Sequence, residues 1–123
     1  MSDNDNNDAN NYILDVCSDN LDPVLQSLIQ SRLVIGMERY GHGIRPMDNT
    51  TQWGTKEDSW LLMCEEEIAD AIIYILAHYL RLVETSQTTE WKYQMTMHAI
   101  RQLGELHHII GMLHPEAFEK TPE

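Results

Sequence analysis

Four acids fall within ten residues of CEEEIADAII, positions 64–73: Glu65, Glu66, Glu67 and Asp70. They are flanked by WLLM before and YILAHYLRLV after, so the acids interrupt an otherwise apolar segment. Carboxylates in apolar surroundings are costly unless something neutralises them. A helix turns about 100° per residue, which places Asp70 about 40°, Tyr74 about 80°, Glu67 about 100° and Ala77 about 20° from Glu66. Glu66, Glu67 and Asp70 therefore share an arc, with the small Ala77 leaving room below them. Glu65 lies about 100° to the other side and is expected to be solvated or paired. Acids converging on one arc are either partly protonated or held by a divalent cation. An all-oxygen donor set favours Mg²⁺ or Mn²⁺ over Zn²⁺. Glu38, in GMERYG, is the one acid in the latter half of the preceding apolar stretch, and an antiparallel helix pair could bring it opposite Glu67 and Asp70.

Other residues offer weaker chemistry. Lys56 and Arg39 are candidate phosphate contacts in a chain with only eight Lys and Arg, with surface ion pairs as the alternative. Trp53 could stack on a base. Trp60 opens an apolar run and reads as core. Asn49 and His42 could read base edges, although turn formation is the commoner role for Asn and solvent exposure for His. Tyr74, on the acid arc, joins Arg39, Lys56, Trp53 and Asn49 as a candidate substrate contact. Glu105-Leu-His-His108 is an ExxH pattern of the kind used by di-iron carboxylate bundles, but such a site needs two ExxH motifs and two further glutamates. With one ExxH present, His107, His108 and His114 read as surface or packing residues, and Met95, Met97 and Met112 as packing.

The elements that must position these residues are helical. Residues 1–11 are Asp/Asn-rich and read as a disordered tail. Asp22-Pro23 has the form of an N-cap followed by proline at the first helical position. Val24, Leu25, Leu28, Ile29 and Ile35 then follow helical spacing to a stop near Gly41 and Gly43. GHGIRPMDNTTQWGT, 41–55, reads as a loop, and 41–60 as a lid beside the acids. Thr55 is a candidate cap for a second helix over 56–83, with Asp58 completing a loose capping box. ETSQTT forms a polar turn, and Thr88 or Thr89 opens a last helix to about Met112, with Pro115 as its stop. No period-two strand pattern and no internal repeat is present. The fold class expected is all-α, with three long helices, a short extra turn at most, and a single domain over 12–114 followed by a tail, 115–123. The second helix is apolar nearly all round, which suits the centre of a bundle. Three helices cannot cover it, so a homo-oligomer, dimer or tetramer, is expected to complete the core.

Composition narrows the function. The chain has 123 residues and a formal charge of −12, enough for one core but too acidic to grip the phosphates of a nucleic-acid polymer. A phosphorylated substrate remains compatible if cations bridge it to the acids. Cys17 and Cys64 form neither a CxxC motif nor a disulfide framework. MSDNDNNDANN is not a signal peptide, and acids break the longest apolar stretch, which argues against a membrane span. A cytoplasmic protein is the expectation.

Glu67-Ile-Ala-Asp70 followed by AIIYILAHYL resembles the ExxD helix of the MazG-like, all-α nucleoside triphosphate pyrophosphohydrolases. That family carries EExxE on one helix and ExxD on the next. ERYGHGI, then a loop with a tryptophan, then EEIADAIIYI is similar to small phage-encoded members, over roughly residues 24–83. Matching the last acid of EExxE to Glu38 leaves 39–66 as the gap, at the long end of the family's spacing. The first two acids then fall on Val34 and Ile35, a departure for which Glu66 could compensate. The resemblance implies a helical bundle hydrolysing a (d)NTP to the monophosphate and diphosphate with two or more Mg²⁺ or Mn²⁺ ions. It implies Glu67 and Asp70 as ligands with Glu38 from the first motif; Glu66 joins them by inference from its place on the arc rather than from the family pattern, and Glu66 or Glu38 is the candidate base toward the water. Some phage relatives act on dGTP in nucleotide metabolism, making dGTP the leading substrate and the host cytoplasm the compartment. A house-cleaning role against dUTP, dCTP or modified nucleotides is the alternative. A di-metal redox protein and a non-catalytic helical interaction module are the readings of other classes.

Overall fold

The structure, a computed structural model, describes residues 9–114. It is all-helical, with no strand among the described residues. Four α-helices occur in order: α1 (Asn10–Asn20), α2 (Pro23–Tyr40), α3 (Trp60–Glu84) and α4 (Glu90–Leu113), with a 3-10 turn at Thr50–Trp53. The chain divides between Asp48 and Asn49 into two compact units, where sequence reading treats 12–114 as one domain. None of the helices among the described residues is long and apolar enough to cross a membrane.

The first unit is a helical hairpin of α1 and α2. α2 begins and ends where the sequence indicates. The Asp22 side chain accepts from Leu25 N at 2.9 Å, Pro23 occupies the first turn, and Gly41 takes the left-handed conformation (φ 79°) that closes the helix. α1 is a correction, because residues 10 and 11 are helical rather than part of a disordered tail. Residues 1–8 of that expected tail, and the tail 115–123 with Pro115, lie outside the described residues. α1's Asn- and Asp-rich sequence is a weak helix former. Packing overrides that propensity: Ile13, Leu14 and Cys17 are half-buried, as are Gln26, Ile29, Leu33 and Gly36 on α2. Asn10 also ties α1 to the following loop, its Oδ1 accepting from Ile44 N at 2.9 Å, while Ala9 N donates to Ile44 O at 2.7 Å.

The second unit pairs α3 with α4 through the turn after Glu84. The hairpin is antiparallel, since Glu65 meets His114 at one end and the Tyr79 and Tyr93 rings lie 5.8 Å apart near the other. The less exposed positions of α3 include Leu61, Glu65, Ile68, Ile72, Ile75, Tyr79 and Leu82, and those of α4 include Thr96, Ile100, Leu103 and Ile110, with His114 at its C-cap. Their three-four spacing is a coiled-coil-like seam. Ile68 and Ile110 are its most buried apolar members, at 6 % and 9 % exposure.

α3 starts at Trp60, not at 56, and Ser59 rather than Thr55 caps it, accepting from Leu62 N at 3.2 Å. The reason is a competing set of side-chain bonds. Asp58 accepts from Thr50 N at 3.0 Å, and Thr55 Oγ1 donates to Glu57 O at 2.6 Å. These hold 55–58 in the loop and leave neither residue available as a cap. α4 opens at Thr89, whose hydroxyl accepts from Lys92 N at 3.1 Å.

α3 also departs from the centre-of-bundle expectation. Within the chain α4 covers one side, while Ile73, Tyr74, Leu76, Leu80 and Val83 are exposed. Met97 is half-buried as a packing residue, but Met95 and Met112 are exposed.

Candidate functional site

The acid segment is built on the second turn of α3. Its helical phase sends Glu65 toward the seam and Glu66 and Asp70 to the opposite side. Glu66, Glu67 and Asp70 are all exposed, and none has a hydrogen-bond or ion-pair partner among the described residues. This corrects the expectation of acids enclosed by apolar sequence. The apolar neighbours Ile68 and Ile72 turn toward α4, and the acids occupy the face that α4 leaves open. Beside them on that face lie Ala69, Ile73, Tyr74, Ala77 and Leu80. Tyr74 sits one turn beyond Asp70 and is 67 % exposed.

Glu65 is the acid that is enclosed. Its side chain is 23 % exposed and its Oε2 lies 3.0 Å from His114 Nε2 and 3.8 Å from His107 Nε2. Sequence reading allowed Glu65 a partner but took His107 and His114 as surface or packing residues. The signal available was Glu65's phase, about 100° from Glu66 on the seam side. Glu105 and His108 of the ExxH pattern are exposed and take no part in this cluster.

The loop residues have more structural roles than expected. Asn49 Oδ1 accepts from Thr51 N at 2.9 Å and from Thr51 Oγ1 at 2.6 Å, capping the 3-10 turn. Its carbonyl oxygen is therefore committed to the turn rather than to a base edge. Trp53 is half-buried with its ring centroid 5.6 Å from that of Trp60, tilted by 38°. Trp60 is itself only half-buried. The segment 49–59 is pinned by Thr50, which has no exposed surface. Thr50 Oγ1 accepts from Ser59 N at 2.8 Å and lies 2.7 Å from Thr55 Oγ1. This part of the anticipated lid is a fixed loop. Lys56 stands exposed on it without a carboxylate partner among the described residues.

In the first unit, Glu38 and Arg39 occupy the last turn of α2, both exposed and neither in an ion pair among the described residues. Arg39 is well placed against the negative end of that helix. His42 Nδ1 lies 2.6 Å from Gly43 O.

Glu66, Glu67 and Asp70 supply the oxygen donors that hard divalent cations take. Among the described residues no three His, Cys, Asp or Glu side chains are grouped to hold a metal ion. No protein-family model matches the chain, and neither the curated proteins nor the solved structures yield a match.

Proposed function

We propose that the protein is a metal-dependent nucleoside triphosphate pyrophosphohydrolase of the MazG-like kind, converting a dNTP and water to the dNMP and diphosphate. The observation that carries the reading is the open arc of α3. Three adjacent carboxylates face outward, have no cation partner among the described residues, and sit on a helix whose remaining exposed face is apolar. An acidic face that served only solubility would have no reason to merge with Ile73, Ala77 and Leu80.

In this reading Glu67 and Asp70 are cation ligands, joined by Glu66 on the same arc of α3. The bound Mg²⁺ or Mn²⁺ ions would neutralise the triphosphate and lower the pKa of a water. Glu66, when it is not engaged as a ligand, would accept that water's proton. Lys56, exposed and without an ion-pair partner among the described residues, would contact phosphate oxygens. Trp53 and Tyr74 would flank the base. Asn49 contributes through its turn, with its amide nitrogen left for the substrate. The exposed apolar strip of α3 supports a homo-oligomer in which a second copy covers it, since an uncovered strip of this kind is characteristic of interaction surfaces. Sedimentation velocity would then read a mass above that of one chain.

dGTP is the first substrate to try, followed by dUTP, dCTP and modified nucleotides. The test is incubation with each dNTP and Mg²⁺ or Mn²⁺, reading diphosphate separately from orthophosphate. Diphosphate with an equal amount of dNMP supports the reading. Orthophosphate alone, or no turnover with any nucleotide, contradicts it.

A further inference from the structure

α3 carries two stripes of the same spacing, one residue apart. The first, with Ile68, Ile72, Ile75, Tyr79 and Leu82, faces α4. Shifting each position by one gives Ala69, Ile73, Leu76, Leu80 and Val83. All five are exposed, Ile73 and Leu80 at 59 %. Their four-three-four-three spacing is that of a helix packing lengthwise on another helix. α4 is already engaged with the first stripe, so the second has no partner within the hairpin. An apolar stripe uninterrupted over about four turns is an interaction surface rather than a scatter of exposed side chains.

The charges of α3 say which partner fits. Glu66, Glu67 and Asp70 lie toward its N-terminal end and Arg81 in its last turn. Arg81 is exposed and, like the three acids, has no ion-pair partner among the described residues. Two copies of α3 could meet along the stripe in either direction. Paired parallel, each charge faces itself, so three acids oppose the same three acids, an unfavourable juxtaposition. Paired antiparallel about a twofold axis between Tyr74 and Ile75, the stripe complements itself. Ile73 then falls opposite Leu76, and the small Ala69 opposite Leu80. The even rise of the helix puts Arg81 of the second copy level with Ile68, between Glu67 and Asp70. Glu84, the other acid at that end, is the last residue of α3 and falls level with Glu65, beyond the arc.

We propose that a second copy of this chain docks antiparallel on the exposed stripe of α3, with Arg81 of each copy beside Glu67 and Asp70 of the other. A twofold pairing uses one patch on both copies and requires that patch to be self-complementary. The proposed function asks only for some second copy. This pairing adds the face, the direction and the side chain that one copy lends to the other's acids, and it holds or fails without the hydrolase chemistry.

Sedimentation velocity over a concentration series and cysteine cross-linking test it. The parent is expected to reach the mass of at least two chains. Ile73→Glu alters an exposed side chain and is expected to halve that mass, with circular dichroism showing unchanged helix content. Arg81→Glu sets like charges together at both ends of the pairing and is expected to weaken it about tenfold. For direction, Ala69→Cys and Leu80→Cys are made separately in a Cys17→Ser/Cys64→Ser background. Mixed and mildly oxidised, they are expected to form a disulfide between chains, and neither should do so alone. Disulfides within each single variant and none across the mixture would show parallel pairing and overturn the proposal. A parent that stays at the mass of one chain throughout would also overturn it, leaving the stripe to another part of the same chain or to a different protein. So would an assembly that Ile73→Glu leaves intact, because the interface would lie elsewhere. Diphosphate release is read separately: intact pairing without turnover counts against the proposed function alone, and turnover without pairing counts against the docking alone.

Discussion

Thr50 and Asp70 are polar side chains of the same compact unit, and the structure treats them oppositely. Thr50 has no exposed surface, and its hydroxyl is tied to Ser59 N and Thr55 Oγ1. Asp70 is exposed and has no partner among the described residues. Around Thr50, among the described residues, no buried side-chain polar atom is left without a hydrogen bond. Glu66 and Glu67 share Asp70's exposed arc and likewise have no partner among the described residues. The first arrangement spends its polar groups on holding the loop that leads into α3. The second leaves them to solvent, and the proposed function assigns them to cations.

The two regions should therefore fail in opposite ways. The largest effect is expected at Glu67→Gln. Diphosphate release should fall to background while the melting temperature stays at or slightly above the parent value, since one of three repelling charges is removed. Thermal melting alongside a diphosphate assay checks both halves. A parent rate in this variant would break the contrast from the acid side.

Thr50→Val should do the reverse. It keeps the shape but removes the hydroxyl, leaving the half-buried Ser59 N without its acceptor. Stability should drop by about 1–3 kcal/mol, read as a fall of several degrees in melting temperature. Turnover by the fraction still folded should persist. A Thr50→Val protein that melts like the parent would show that the loop is held by something else, such as the Trp53–Trp60 pair.

Asn49→Asp should be the mildest change. The carboxylate keeps the acceptor that caps Thr51, so stability should move by less than about 0.5 kcal/mol. The lost amide nitrogen sharpens the substrate question. Unchanged relative rates across a dNTP panel would confine Asn49 to its turn, whereas an altered base preference would assign it a part in reading the nucleotide.

The sequence made some of this legible for specific physical reasons. Asp22-Pro23 and Gly41 bracket α2 because a cap, a ring-locked φ and a left-handed closing residue act locally. Thr89 marks α4 in the same way. Helical phase was enough to put Glu66, Glu67 and Asp70 on one arc and to set Glu65 apart. What escaped depends on contacts distant in sequence. α1 forms against α2 despite a composition that disfavours it. Thr55 and Asp58 have the sequence pattern of a cap and a capping box, yet the loop's own hydrogen bonds claim both residues. Glu65 could be read as paired or solvated, but nothing local points to a histidine at position 114. An apolar run around the acids suggests burial. The run is apolar because α4 needs one side of it, and the acids stand on the other side.

In the proposed function Asp70 and its neighbours hold the cations that make triphosphate cleavage possible. The most direct measurement is the rate of diphosphate release from dGTP with Mn²⁺, parent against Asp70→Asn, in samples shown by circular dichroism to be equally folded. The account predicts steady diphosphate and dGMP production by the parent and none above background by the variant. Equal rates in the two proteins would contradict it.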